Sequence, residues 1–152
     1  MAVSISRKQA RLPLLPQAAL CPRGAILVVG AAEAARRALT EALESHRYSV
    51  IQESSEGNAL AAARIFRFDA CICDGDSMSN YSALAFWERM HGLQQEMSVV
   101  CCGDFPTEPV RVRLESEGCL LFHGSCSAEA LAGAMDLFLK QKGRSQCFQV
   151  LK

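Results

Sequence analysis

The segment FDACICDGDSMS, Phe68 to Ser79, is an apolar run that stops at a carboxylate, Asp74, with a second, Asp76, two residues later. A carboxylate in that position can accept a phosphoryl group, or it can simply mark where a buried strand meets solvent. Phosphoryl transfer brings anionic groups together, so an acceptor needs a divalent cation and hydrogen-bond donors around it. The same run holds Cys71 and Cys73, which share a face if it is a strand, and SVVCCG holds Cys101 and Cys102. Four clustered thiols would suggest metal or redox chemistry. Structural zinc, however, usually takes pairs two to four residues apart in flexible knuckles, whereas strand cysteines are fixed by their ladder bonds. Small apolar packing is the plainer reading of these cysteines, and Cys126 and Cys147 are the thiols expected to be exposed.

Other residues offer weaker signals. His123 is largely neutral at cytosolic pH with an ordinary imidazole, so it is a weak cationic partner for an anion. Gly30 in VVGAAEAAR lacks the remaining glycines of a dinucleotide-binding turn. Phe86 and Trp87 are adjacent, so one is expected in the core and the other on a partner-facing side of a helix.

Composition bounds the elements that must position these groups. The chain has 152 residues, half of them hydrophobic, which supports one core rather than two. Sixteen basic and sixteen acidic residues cancel, leaving no overall field that would draw nucleic acid or an anionic membrane. Eight cysteines inside apolar segments read as reduced cytosolic thiols. Residues 1–24 contain no acid, four bases and three prolines, and read as a basic disordered extension. Pro13 and Pro16 break its apolar run, which is too short to span a bilayer, and Leu20 is too large for the lipoprotein cleavage site that AALC suggests.

From Gly24 onward, short runs of Val, Ile, Leu and Cys alternate with longer helix-like stretches, the pattern of a parallel sheet covered by helices. Strands are expected at Ala25 to Gly30, Tyr48 to Gln52, Ala70 to Cys73, Ser98 to Gly103 and Cys119 to Phe122. The first helix carries Ala35, Leu39, Ala42 and Leu43 at helical spacing, and the second follows Gly57 with Leu60, Ala63 and Ile65 or Phe66 as its apolar face. A third runs from about Ser82 to Met90, and PVRVRLESEG reads as a weak fourth. The last is capped by Ser127, with Leu131, Met135 and Phe138 on one face, and residues 143–152 read as a tail.

These elements, in this order, resemble the receiver domain of bacterial two-component response regulators over residues 25–142. ILVVGAAEAARRALTEAL is similar to the family's opening ILVVDDE strand and first helix, and DACICDGDSMS to its DLVLLDxxMP segment. SVVCCGD resembles the strand that ends in Thr or Ser, and LLFHGSCSAEAL the YLxKPxxxEEL junction. The resemblance implies a doubly wound α/β fold with a five-stranded parallel sheet flanked by five helices, and it puts Asp74 on the phosphoacceptor.

The rest of the family's site departs from its pattern. The acidic pair that holds magnesium falls on Gly30 and Ala31, and the first acid in the chain is Glu33, which would have to reach back. The hydroxyl donor falls on Gly103 and the lysine on Gly124, or on Ser125 in a shifted register. No lysine occurs between Lys8 and Lys140, so no register restores it. Asp76 would contribute only its backbone carbonyl in the family. The expectation is therefore a degenerate receiver, not an enzyme and without cofactor or metal, acting in the cytoplasm as a phosphorylation-independent signalling adaptor. Its partner would be a histidine kinase, another response regulator or an output protein, with a homodimer possible and no nucleic acid or membrane. The family's contact face spans about Glu108 to Lys140 and offers Arg111, Arg113, Glu115, Leu121 and Phe122, although these charges also suit an ordinary solvated surface. The alternatives are a phosphoaspartate receiver with a rebuilt, magnesium-binding site at Asp74, and more remotely a thiol-based redox sensor.

Overall fold

Alternation along the first strand decides how the core divides. In GAILVV, Ile26 and Val28 face one side of the sheet and Leu27 and Val29 the other, and all four are buried, as expected of a central parallel strand. The computed structural model describes residues 23–74, 80–103, 108–122 and 127–151. Its elements in chain order are β1 (Gly24–Val29), α1 (Glu33–Ser45), β2 (Tyr48–Glu53), α2 (Glu56–Ile65) and β3 (Ala70–Asp74). They continue with α3 (Asn80–Leu93), β4 (Ser98–Cys102), α4 (Glu108–Ser116), β5 (Leu120–Phe122) and α5 (Ala128–Leu151). The strands form one sheet in the order β2-β1-β3-β4-β5, with every pair parallel. The doubly wound architecture expected from the sequence is therefore present. The strand order reverses between β1 and β3, which is where open α/β sheets place their sites.

One face of the sheet packs Leu27, Val29, Cys71, Cys73, Val99 and Cys101 against α2, α3 and α4. The other packs Ile26, Val28, Ile72 and Val100 against Leu39 and Leu43 of α1 and Leu131 and Met135 of α5. Local chemistry fixes several ends. Ser55 caps α2 by accepting from Asn58 N at 3.2 Å, and Ser127 caps α5 by accepting from Ala130 N at 3.0 Å, the cap expected for that helix. Arg47 ends α1 with φ of 74°, the left-handed conformation that turns the chain into β2.

Three expectations need correction. Ile65 and Phe66 do not form the inner face of α2: they are 74% and 51% exposed, because the helix ends at Ile65 and Phe66 turns extended. Phe68 enters the core in their place. Phe86 and Trp87 are both buried, since α3 lies between α2 and α4 and its apolar stripe is broad enough to take neighbours about 100° apart. PVRVRLESEG is helical, as expected, from Pro109 to Ser116 within α4 despite its alternating valines. Residues 143–151, expected as a tail, continue α5.

Candidate functional site

The carboxyl end of β1 and β3 brings Gly30 and Asp74 together. Val29 pairs with Cys73, so Gly30 follows at the level of Asp74. A Cβ added at Gly30 would lie 3.3 Å from Asp74 Cβ, 3.7 Å from Arg36 Cγ and 3.9 Å from Asp74 Oδ2. The third of these groups was not foreseen. Arg36, in the first turns of α1, folds back over the strand end and donates from Nη1 to the Gly30 carbonyl at 2.6 Å. Its Nε is buried without a hydrogen-bond partner among the described residues.

Glu53 also belongs to this end of the sheet. Its carbonyl accepts from Gly30 N at 3.1 Å. Burial pushes its carboxyl above the ordinary carboxylate range, and the Arg36 guanidinium acts in the opposite direction. A cavity of about 60 Å³ remains, walled by Val28, Leu39 and Ile72 and bounded by Gly30, Arg36 and Asp74. Ala31 is exposed. Glu33 does not reach back; it pairs with Arg37 at 2.9 Å, one helical turn away.

Gly103 ends β4 with φ of 118° and donates to Phe122 O at 3.0 Å. The backbone there favours glycine, which gives a physical reason for the missing hydroxyl residue. Asp76, His123, Gly124, Ser125 and Cys126 lie outside the described residues.

No family model matches the sequence, and no curated protein matches it. Solved structures do. A response regulator receiver domain protein (CheY-like) from Methanospirillum hungatei JF-1 superposes with a TM-score of 0.71 at 17% identity, over 80% of this chain and 97% of that one. The chain has the receiver fold. A response regulator protein from Burkholderia pseudomallei with a phosphorylated aspartic acid aligns with a TM-score of 0.64 at 18% identity, over 82% and 74% of the two chains. A member of a family of redox sensors in the streptococci that evolved from two-component response regulators aligns with a TM-score of 0.65 at 16% identity, over 82% and 54%.

Within the receiver fold, the residues proposed for the contact face are spread over two elements. Arg113 on α4 reaches Glu88 of α3 at 3.7 Å and Glu117 at 3.3 Å, while Glu115 is exposed. Arg111 is half-buried. Leu121 and Phe122 point to opposite sides of the edge strand, Leu121 toward the α2–α4 core and Phe122 toward the α1–α5 core.

The amino end of the sheet holds an unforeseen cluster around Asp136. Tyr48 Oη donates to its Oδ1 at 2.8 Å, and Arg23 Nη1 lies 3.3 Å from the same atom. His46 Nδ1 and Lys140 Nζ approach Oδ2 at 3.3 and 3.1 Å. Burial opposes the charge of Asp136, but the Tyr48 and Lys140 bonds and the nearby cations prevail and hold its carboxyl below the usual range. A signal was present in the sequence, because Asp136 directly follows Met135 in an otherwise apolar helical stretch.

The thiols cluster, but not as expected. Cys73 and Cys101 are register partners with sulfurs 3.2 Å apart, and Cys119 Sγ lies 3.7 Å from Cys101 Sγ. Cys102 belongs to the opposite face, since neighbours on a strand alternate, and Cys119 takes its place. Among the described residues, no group of three or more His, Cys, Asp or Glu is arranged to hold a metal ion, and no described helix is long and apolar enough to cross a membrane.

Proposed function

We propose that the chain is a receiver-like signalling adaptor that works by protein contact without phosphorylation, with Arg36 standing where an active receiver would hold its divalent cation. The carrying observation is the guanidinium bonded to the Gly30 carbonyl beside Asp74. A hard cation needs several oxygen ligands, preferably carboxylates. Here Gly30 and Ala31 supply none from their side chains, the Gly30 carbonyl already accepts from Arg36, and a fixed positive charge would repel the metal. These residues do not fit magnesium. Asp74 then lacks the charge balance that phosphoryl transfer requires.

What remains useful is the rigid frame and its outer helices. A signalling protein, whether a kinase, another regulator, an output protein or a second copy of this chain, would dock on α4, β5 and the first turns of α5. The test has two arms. With magnesium and a small phosphodonor, the intact mass should stay unchanged; a gain of one phosphate that Asp74→Asn abolishes would establish the competing reading. That reading has one point in its favour, a second carboxylate, Glu53, at the same end of the sheet and within electrostatic reach of Arg36. In the other arm, Arg111→Glu with Arg113→Glu should weaken capture of the native partner, and Arg113→Glu alone should leave stability within about 1 kcal/mol, since its pairs with Glu88 and Glu117 are exposed. Asp74→Ala should leave binding intact, and binding that tracked Asp74 instead of the arginines would overturn the adaptor reading.

A further inference from the structure

The two central strands carry a dithiol whose arrangement has no evident role in partner docking. Cys73 on β3 faces Cys101 on β4 as its direct register partner, and their sulfurs are 3.2 Å apart. Adjacent strands lie about 4.8 Å apart, inside the Cα range that a disulfide spans, and the sulfurs need to close by only about 1 Å to bond. Cys119 flanks Cys101 from the other side at 3.7 Å. Cys73 immediately precedes Asp74, and the pair lies on the face of the sheet opposite Val28 and Ile72, which wall the pocket.

We infer that Cys73 and Cys101 are a peroxide-oxidisable pair that closes to an intramolecular disulfide across β3 and β4. Cys101 is the attacking thiol, because hydrogen bonds from Cys119 and from Cys73 favour its thiolate against the cost of its burial. Cys73 is held in the thiol form by its bond to Cys101 and by burial, which suits a resolving role.

In the first step the Cys101 thiolate attacks one oxygen of hydrogen peroxide. The O–O bond breaks, and the departing hydroxide takes up the proton that Cys101 released, giving a sulfenic acid and water. In the second step Cys73 gives up its proton and attacks the sulfenyl sulfur. The S–S bond forms, the S–O bond breaks, and hydroxide leaves with that proton as a second water. Two thiols have lost two electrons and one peroxide has become two waters; a small dithiol reverses the change by exchange.

Access sets the rate. Cys73 is 0% exposed and Cys101 1%, so the reaction waits on local opening. The cheapest opening lies beside Cys119, where β5 has three residues and α4 buries only Leu114 fully among its described side chains.

The experiment treats the full chain with hydrogen peroxide, blocks remaining thiols with an alkylating agent in denaturant, and maps disulfides by fragmentation of proteolytic peptides. The expected result is an intact mass lower by two hydrogens, a Cys73–Cys101 crosslink, and recovery of both thiols with dithiothreitol. Before oxidation, Cys71, Cys73 and Cys101 should resist alkylation of the native chain. Cys71→Ala should retain the crosslink and Cys101→Ala should lose it, with circular dichroism confirming the fold of each. A crosslink between Cys101 and Cys119, one involving Cys71 or Cys102, or oxidation confined to other cysteines while Cys73 and Cys101 stay reduced would overturn the inference. Because the readout is a bond in the isolated chain, its failure leaves the adaptor reading untouched.

Discussion

The two ends of the sheet treat their buried charges in opposite ways. At the amino end, Asp136 gathers Tyr48, Arg23, His46 and Lys140, so that one carboxylate joins α1, β2, α5 and the chain leading into β1. Nearby, Asp69 accepts from Ala25 N at 2.9 Å, and Gln94 bonds the backbone of Ala63, Phe66 and Phe68. At the carboxyl end, Arg36 bonds a single backbone carbonyl and lies within electrostatic reach of Glu53. The first arrangement ties elements together, as a scaffold does. The second lies at the strand switch point, and its residues influence charge more than they hold the chain.

The largest expected effect follows from that contrast. Asp136→Ala should cost about 2–4 kcal/mol in urea unfolding, since it strands the buried Tyr48 hydroxyl and removes the shared partner of Arg23, His46 and Lys140. The upper values for buried pairs are not expected, because the side chains of Arg23, His46 and Lys140 are 35%, 37% and 43% exposed. Asp74→Ala should cost clearly less, since Asp74 is half-buried at a strand end and joins fewer elements. Equal costs would break the comparison. Acid should act the same way: the Asp136 carboxyl titrates below its ordinary 3.8 in the folded chain, so its contribution is intact above that value and lost as pH falls through the depressed one.

A smaller loss, about 1–2 kcal/mol, is expected for Gln94→Ala. Its amide nitrogen donates to Ala63 O at 2.8 Å and Phe66 O at 2.6 Å, and its oxygen accepts from Phe68 N at 2.9 Å. Together these pin the turn between α2 and β3. Amide exchange should quicken at Phe68 and remain unchanged at Val28 if the clamp is local.

Period-two alternation made the sheet legible, and the same rule, applied more strictly, separates Cys101 from Cys102. What pairs with Cys101 depends on the register of the short edge strand β5, which no local pattern in CLLF specifies. Asp74 and Gly30 could be placed together because the receiver resemblance aligns both with strand ends at the family's site. Arg36 could not, because its reach depends on the angle at which α1 leaves β1, and nothing in EAARRAL separates it from Arg37, which points outward to Glu33. Ile65 and Phe66 misled for a related reason: their apolarity fits the α2 stripe, but the helix stops before they can turn inward. Asp136 was visible only as an acid out of place.

The pocket can be tested by trying to rebuild it. Gly30→Asp alone should not confer magnesium binding, since the new carboxylate would pair with Arg36. Gly30→Asp with Arg36→Met should raise the melting temperature when magnesium is added, by the equivalent of about 1.4 kcal/mol at ten times Kd. The new Cβ, 3.3 Å from Asp74 Cβ, needs its neighbour to give by a few tenths of an ångström, which a strand end permits. Stabilisation of the single variant by magnesium would mean that Arg36 does not hold the cation position.

The smallest effect tests whether Arg36 governs this end of the sheet. The Glu53 carboxyl is raised above its ordinary 4.5 by burial, with Arg36 pulling it back. A carboxyl raised on folding binds its proton more readily in the folded chain, so its contribution to stability is fully present below pH 4.5 and lost as pH rises through the folded value. Relative to Glu53→Gln, which cannot titrate, the parent chain should therefore gain stability as pH falls toward 4.5, opposite in sign to the acid loss at Asp136. Burial likewise raises Glu44, but that effect cancels because both chains carry it. Arg36→Met should then move the Glu53 window to higher pH, since only burial would remain to set it. Carboxyl chemical shifts followed by NMR across the titration would read this directly. An unmoved Glu53 curve would place Arg36 outside its field and remove the charge contrast between the two ends.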